Sequence, residues 1–335
     1  MRIYGYDHHG PAEVQQWFDV PEPAPGPGEL LVAMRAAGVN PADIKVRNGQ
    51  RPEVAETLPM ALGREAAGTV LAVGDGVTGF AVGDEVFGAT APGTGGLAER
   101  VLLSAASSAH RPDSVGPDQA ACISVSLGTA RDVLDDLDLP AGATLLVIGA
   151  GGGVGTGLVR MAVHRGITVV GVASPEKAEL LTDSGAVPIA SGPGWPVRAA
   201  DEVAGQVDAL VDLVGEAELE AGLPLLRPGG RVISLAAPAA ATGHGGGGIT
   251  RRRTTEVFEA VAHDIATKTL HPVISRSFAF ERAAEAIAAV EAGHATGNIV
   301  VTMDDASMDD ASMDDASMDD GTMDNGTMDN GRTDR

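Results

Sequence analysis

The chain is expected to fold as an α/β protein with a β-rich opening region and a doubly wound parallel sheet after it. Three observations predict this. The first third consists of short apolar or alternating runs between Gly and Pro turns. From about residue 121, apolar strands alternate with segments of helical spacing, the pattern of a parallel sheet covered by helices. A glycine-rich bend joins the first of those strands to its helix.

In the opening region, residues 29–35, 68–73 and 84–88 read as strands. Residues 143–148 form an apolar run suited to a buried parallel strand, 154–164 a helix and 168–173 a second strand. A helix over 176–184 ends at Gly185, and 207–214 and 231–235 are further strands, the last after the Pro228-Gly229-Gly230 turn. Residues 266–302 return to short strands plus an amphipathic helix over 280–292. The expected division is 1–120, 121–265, a return segment 266–302, and a tail 303–335.

The tail repeats MDDAS and its variants with a five-residue period that matches neither a helix face nor a strand face. Its charge and low hydrophobicity predict disorder, with an acidic interaction tail or a metal-ion sponge as the functional alternative. Its eleven aspartates and two arginines account for −9 of the formal net charge of −23, so the remaining body is still acidic. That balance argues against nucleic acid or anionic membrane as partner. The chain has 335 residues, 44% of them hydrophobic but only 3% aromatic, so its core is expected to be built from Ala, Val, Leu and Ile against glycine. A single cysteine, Cys122, excludes a disulfide framework and a zinc site of several thiolates. No run approaches ~18 uncharged apolar residues, and a cytoplasmic location is the expectation.

The bend between the strand at 143–148 and its helix contains Gly149, Gly152, Gly153, Val154 and Gly155. Glycine lets backbone approach a dinucleotide pyrophosphate, and the amides and dipole at a helix N-terminus attract its charge. The strict G-x-G-x-x-G spacing is not met, so the reading rests on the strand, helix and following strand around the bend. NAD sites end the second strand with a carboxylate that would repel a 2′-phosphate. Here Ser174 stands at that end and Lys177 follows three residues on, which points to NADPH. Alternatively, Lys177 is a solvated helix residue.

Several motifs in order carry a family resemblance. They are AGVNPADIKVRNG at 37–49, LGREAAGTVLAVG at 62–74, VGDEVF at 82–87, GGVG at 152–155 and GHATGNIV at 293–300. Across residues 1–302 the chain resembles the medium-chain dehydrogenase/reductase superfamily. It is similar there to the zinc-independent quinone oxidoreductases and enone reductases, which combine a GroES-like domain with a Rossmann domain. The zinc alcohol dehydrogenases of that superfamily place a cysteine ligand where this chain has Asn40, and a histidine where it has Arg64 before Glu65. Neither replacement is a plausible zinc ligand, and no zinc is expected.

The resemblance implies hydride transfer from NADPH to an α,β-unsaturated carbonyl or a quinone, by a cytoplasmic homodimer. Plant enone reductases carry a lysine at the position matching Lys45, making it the leading catalytic candidate, with Asn40 and Asp43 beside it. Asn40, Pro41 and Asp43 also read as an N-cap, an N1 proline and an imperfect capping box, with Lys45 an exposed helix lysine. Thr129 matches a family threonine that approaches the nicotinamide. Val214 and Leu235 close two sheet strands where an open α/β sheet meets its ligand. Asn298 stands where relatives often have a lysine that touches the cofactor. The glycine run 243–248 and Arg251, Arg252 and Arg253 read as a solvated connection, with a lid or phosphate contact as the alternative. Two other functions stay open: a non-catalytic NADPH-binding sensor or structural protein, and a carbonyl or alcohol dehydrogenase.

Overall fold

The computed structural model describes residues 1–203, 205–293 and 295–304. The tail predicted from 303 lies outside the described residues from 305 onward. Met303 itself is buried in the body, and its N–H donates to the Arg35 carbonyl at 2.9 Å.

The opening region contains β1 (Arg2–Tyr6), β2 (Gln16–Asp19), β3 (Glu29–Val39), α1 (Pro41–Arg47), β4 (Met60–Ala61), β5 (Glu65–Val73), β6 (Glu85–Thr90) and β7 (Arg100–His110). β1 pairs with β2 and β4 in a small antiparallel sheet. β3, β5, β6 and β7 pair antiparallel in that order, and β7 pairs again with β3, so this sheet closes on itself. Closure buries nearly every residue of β3 on both faces, so it reads as a continuous apolar run and extends beyond the predicted 29–35.

After α2 (Pro117–Ala120), a π-helical turn, Ile123–Leu127, leads into α3 (Gly128–Leu137). The parallel sheet follows: β8 (Thr144–Ile148), α4 (Gly153–His164), β9 (Thr168–Ala173), α5 (Ala178–Asp183), β10 (Val187–Ala190), α6 (Trp195–Glu202), β11 (Val207–Asp212), α7 (Glu216–Gly222) and β12 (Leu226–Ser234). Its strand order is β10-β9-β8-β11-β12, so the chain reverses direction across the sheet between β8 and β11. β10, unforeseen in sequence, is an edge strand of four residues that contains Pro188; a proline is tolerated there because one side of the strand needs no ladder donors. β12 takes in the predicted Pro228-Gly229-Gly230 turn, which a register shift between Val207 and Ala209 on β11 accommodates.

The chain continues through α8 (Pro238–Thr242), α9 (Thr255–Ala266), β13 (Ile274–Ala279), α10 (Ala283–Glu291) and β14 (Asn298–Thr302). The glycine run at 243–248 is not a free connection. Ser234 N–H donates to Gly247 O at 2.9 Å, and a Cβ on Gly246 would lie 2.2 Å from Val232 O, so Gly246 packs along β12 because it has no side chain, while Gly243, His244 and Gly245 are exposed. β14 pairs antiparallel with β3 and parallel with β13, returning residues 266–302 to the first sheet. The predicted helix 280–292 is a 3₁₀ turn, Phe280–Arg282, followed by α10. One apolar core joins the two sheets, with Phe87 and Phe258 meeting at 6.2 Å between ring centroids.

Candidate functional site

Two sites of different construction lie in this body. The first is the bend between β8 and α4. Gly149 adopts φ +86°, a conformation that favours glycine, and the amides of Gly149 and Ala150 both donate to Val172 O, fixing the bend to the end of β9. The first helical bond of α4 runs from Thr156 N to Gly152 O at 2.8 Å, so the amides of Gly153, Val154 and Gly155 precede it and lack helical acceptors. A Cβ on Gly155 would lie 2.3 Å from Gly149 O, so glycine is required there for packing. A Cβ on Gly152 would meet only Gly149 O, at 3.8 Å, and otherwise point into open space. The Gly152–Gly297 bridge ties Gly153 to the return segment, and the remaining amides at this helix N-terminus fit a pyrophosphate.

The residues around this bend are placed as follows. Val214 lies just beyond β11, 56% exposed, against Gly149. Leu235 follows β12, its N–H donating to the Asp212 carbonyl. Buried Asp212 holds both strand ends, accepting from the amides of Val214 and Gly215 and from Ser234 Oγ. Ser174 stands at the N-cap position of the turn after β9, where its backbone carbonyl, and not its side chain, accepts the Lys177 N–H at 2.9 Å.

Lys177 is not the solvated helix residue of the alternative reading. Its side chain is 8% exposed, its stem lies against Gly151, and its ammonium donates to the Ala295 carbonyl at 2.8 Å. It ties the return segment to the bend, and burial lowers its pKa. Asn298 is also internal: it accepts from Ser126 Oγ at 2.5 Å and donates to Val273 O at 3.1 Å. Its Oδ1 faces Gly153, so it supports the bend from behind.

The second site lies under α1. Asn40, Asp43 and Glu65 are all buried. The Asp43 carboxylate accepts the Asn40 N–H at 2.8 Å, the reach-back half of a capping box. The Asn40 side chain does not cap the helix; its Nδ2 donates to Glu65 Oε1 at 2.8 Å. Glu65 Oε2 accepts the Val125 amide, also at 2.8 Å, from the π-helical turn. A Cβ on Gly38 would lie 2.4 Å from Glu65 Oε1, so that glycine makes room for the carboxyl. Burial pushes Asp43 up to about 7 against its bond from Asn40 and the charges of Arg64 and Arg253. It pushes Glu65 up to about 8 despite two donors. Asp43 Oδ1 is buried without a partner among the described residues.

Lys45 does not join this group. It is two residues from Asp43 on a helix, roughly 200° around the axis, and it is exposed while Asp43 is buried. The geometry therefore favours the surface-lysine reading. Thr129 is buried on α3, and its hydroxyl accepts from Arg251 Nε at 3.3 Å. Sequence reasoning passed over Glu65, whose signal was a carboxylate inside an otherwise apolar strand, and over the Val125 amide, which no side-chain pattern can show.

The profile of the alcohol dehydrogenase GroES-like domain matches residues 26–113, and that of the zinc-binding dehydrogenase matches 195–301. A quinone oxidoreductase of Pseudomonas aeruginosa is 39% identical over 180 residues, 53% of this chain and 54% of its own length. An NADPH-dependent alkenal/one oxidoreductase of Arabidopsis thaliana is 26% identical over 313 residues, covering 90% of this chain and 79% of its own. A mycobacterial protein solved in complex with NADPH superposes with a TM-score of 0.80 at 30% identity, covering 90% of this chain and 100% of that one. The chain spans 5% and 54% of the length of the first two curated relatives it matches. No helix among the described residues is long and apolar enough to cross a membrane, and no three His, Cys, Asp or Glu side chains among them converge as metal ligands.

Proposed function

Because the chain belongs to the medium-chain dehydrogenase/reductase superfamily, we propose that it is an NADPH-dependent reductase of α,β-unsaturated carbonyls or quinones that works without zinc. The observation that carries the reading is the backbone bend at Gly152, where a Cβ would meet only Gly149 O, at the N-terminus of α4 with the Val154 and Gly155 amides ahead of the first helical bond. The amides and the helix dipole hold the pyrophosphate. Val214 and Gly149 flank the same opening at the carboxyl ends of β11 and β8, the side on which an open α/β sheet takes its ligand. The preference for NADPH over NADH rests on Ser174, which leaves the end of β9 without a carboxylate to repel a 2′-phosphate. When bound, the nicotinamide supplies the hydride.

The zinc-free part of the reading rests on chemistry: an amide at Asn40 and a guanidinium at Arg64 offer no soft or imidazole ligand. The acid pair supplies what a reduction needs next. At neutral pH, Glu65 is largely protonated and Asp43 is near its midpoint, so the buried pair can hold a proton. The partnerless Asp43 Oδ1 is the atom from which a proton can leave. We extend the reading to a division at 1–120, 121–265 and 266–302 and to a cytoplasmic homodimer, for which light scattering expects twice the monomer mass.

The test is NADPH oxidation, followed at the nicotinamide absorbance band, with a panel of enones and quinones. Acceptor-dependent oxidation, weaker with NADH at equal concentration, is expected. No turnover with any acceptor, despite NADPH binding, would leave a non-catalytic binding protein.

A further inference from the structure

Guanidinium groups from three separate segments act electrostatically on one another, and two of them on the Asp43–Glu65 pair. Arg64 precedes Glu65, Arg251 and Arg253 lie ahead of α9, and Arg51, paired with Glu53 at 2.5 Å, stands at the margin. The charges of Arg51, Arg64 and Arg251 all bear on Arg253, and that of Arg253 bears on both carboxyls. The middle residue of the triplet behaves differently. Arg252 pairs with Asp132 at 2.6 Å and Asp135 at 2.7 Å, and its amide also donates to Asp132.

Arg64, Arg251 and Arg253 form no ion pair among the described residues. Arg251 donates from Nε to the Thr129 hydroxyl, whereas Arg253 Nε is buried with no partner among those residues. Arg253 also adopts φ +45°, a backbone conformation that a non-glycine residue rarely takes and that clusters at ligand sites. Composition does not force this concentration of positive charge, because the chain as a whole carries −23. The neighbouring acids do not cancel it either, since burial keeps Glu65 largely neutral and Asp43 partly so. Burial and mutual repulsion both disfavour the charged form of Arg253. A partly buried, like-charged group of planar forks with free donors matches the oxygen pairs of a carboxylate or phosphate.

Resting on the reductase reading, we propose that Arg64, Arg251 and Arg253 form a recognition site for an anionic oxygen group, carboxylate or phosphate, carried by the electron acceptor. Arg251 bonds Thr129 on one side, and the charge of Arg253 reaches Glu65 and Asp43 on the other. The site selects acceptors by charge, a role separate from those of the acid pair and the β8–α4 bend.

The test is calorimetric titration of the full chain, with and without NADP⁺, using 4-oxopentanoate and its methyl ester, with inorganic phosphate as a competitor. The carboxylate is expected to bind at least tenfold more tightly than the ester. Arg64→Gln and Arg253→Gln are each expected to reduce that preference about tenfold, while Arg282→Gln, on the exposed surface with Glu285, leaves it unchanged. Displacement by inorganic phosphate assigns the site to phosphate-bearing acceptors, and its failure to displace assigns it to carboxylates. Equal binding of acid and ester, failure of both to bind, or a preference that survives in both variants overturns the proposal. So does a loss confined to NADP⁺ affinity, which would give the arginines to the cofactor. NADPH oxidation with 1,4-benzoquinone, a neutral acceptor, is measured alongside: its absence with the carboxylate preference intact would sink the reductase reading and not the site.

Discussion

The β8–α4 bend and the pocket under α1 solve opposite problems. The bend binds with backbone and must keep side chains out, so its energetics are set by where a Cβ fits. The pocket under α1 is built from charged side chains that burial has pushed away from their ordinary protonation states. In a local backbone site the effect of added side-chain volume is set by position, severe for the fold at Gly155 and directed at the ligand at Gly152, whereas a pocket of carboxyls and guanidiniums responds mainly to charge and pH.

The largest expected effect lies in the bend. Gly155→Val forces a side chain toward Gly149 O and Ala150, 2.3 and 2.7 Å from where its Cβ would stand. We expect a loss of roughly 3 kcal/mol or more in stability, in the range of severe overpacking, measured by denaturant unfolding. A variant as stable as the wild type would remove the packing argument. Next is Gly38→Ala, whose Cβ would lie 2.4 Å from both Glu65 Oε1 and Ala121 O. A loss of about 1–3 kcal/mol is expected, together with displacement of the Glu65 carboxyl, readable as a shift in its infrared carboxyl band.

A third prediction concerns pH. The folded pKa of Asp43, about 7, stands above its ordinary 3.8, so the folded state binds the extra proton between those values. Its contribution to stability is therefore complete at acid pH and is lost as pH rises toward 7. Asp43→Asn keeps an oxygen for the Asn40 amide and removes the titration. The melting temperature of the variant relative to the wild type is expected to climb by several degrees between pH 5 and pH 8; a flat difference would show that Asp43 titrates normally. The smallest effect is expected at Lys45→Gln, less than a twofold change in kcat/KM for an enone, and a tenfold loss would return that lysine to the site.

The same contrast explains what could be read in the sequence. β8, the bend, α4 and β9 are contiguous, so an apolar run, a glycine cluster and a helical period suffice to place Gly149, Gly152, Gly153, Val154 and Gly155. Asn40 and Asp43 were visible as a capping pattern because they are three residues apart. Their partner Glu65 was not, since a strand from another part of the chain brings it there and the Val125 donor is a backbone amide. Lys177 and Asn298 are only half legible for a related reason: both look like polar residues at a ligand's edge, but their partners in the fold, Ala295 and Ser126, are remote in sequence. Helical phase turns Lys45 away from Asp43, which a family correspondence does not carry.

The most direct test of the central claim is NADPH titration into the wild type and Gly152→Val, where the added side chain enters open space and the fold is expected to melt within a few degrees of the wild type. One NADPH per chain should bind the wild type, and the variant should bind at least a hundredfold more weakly. Unchanged affinity in a folded Gly152→Val, or no binding to either protein, would contradict a dinucleotide site at the β8–α4 bend.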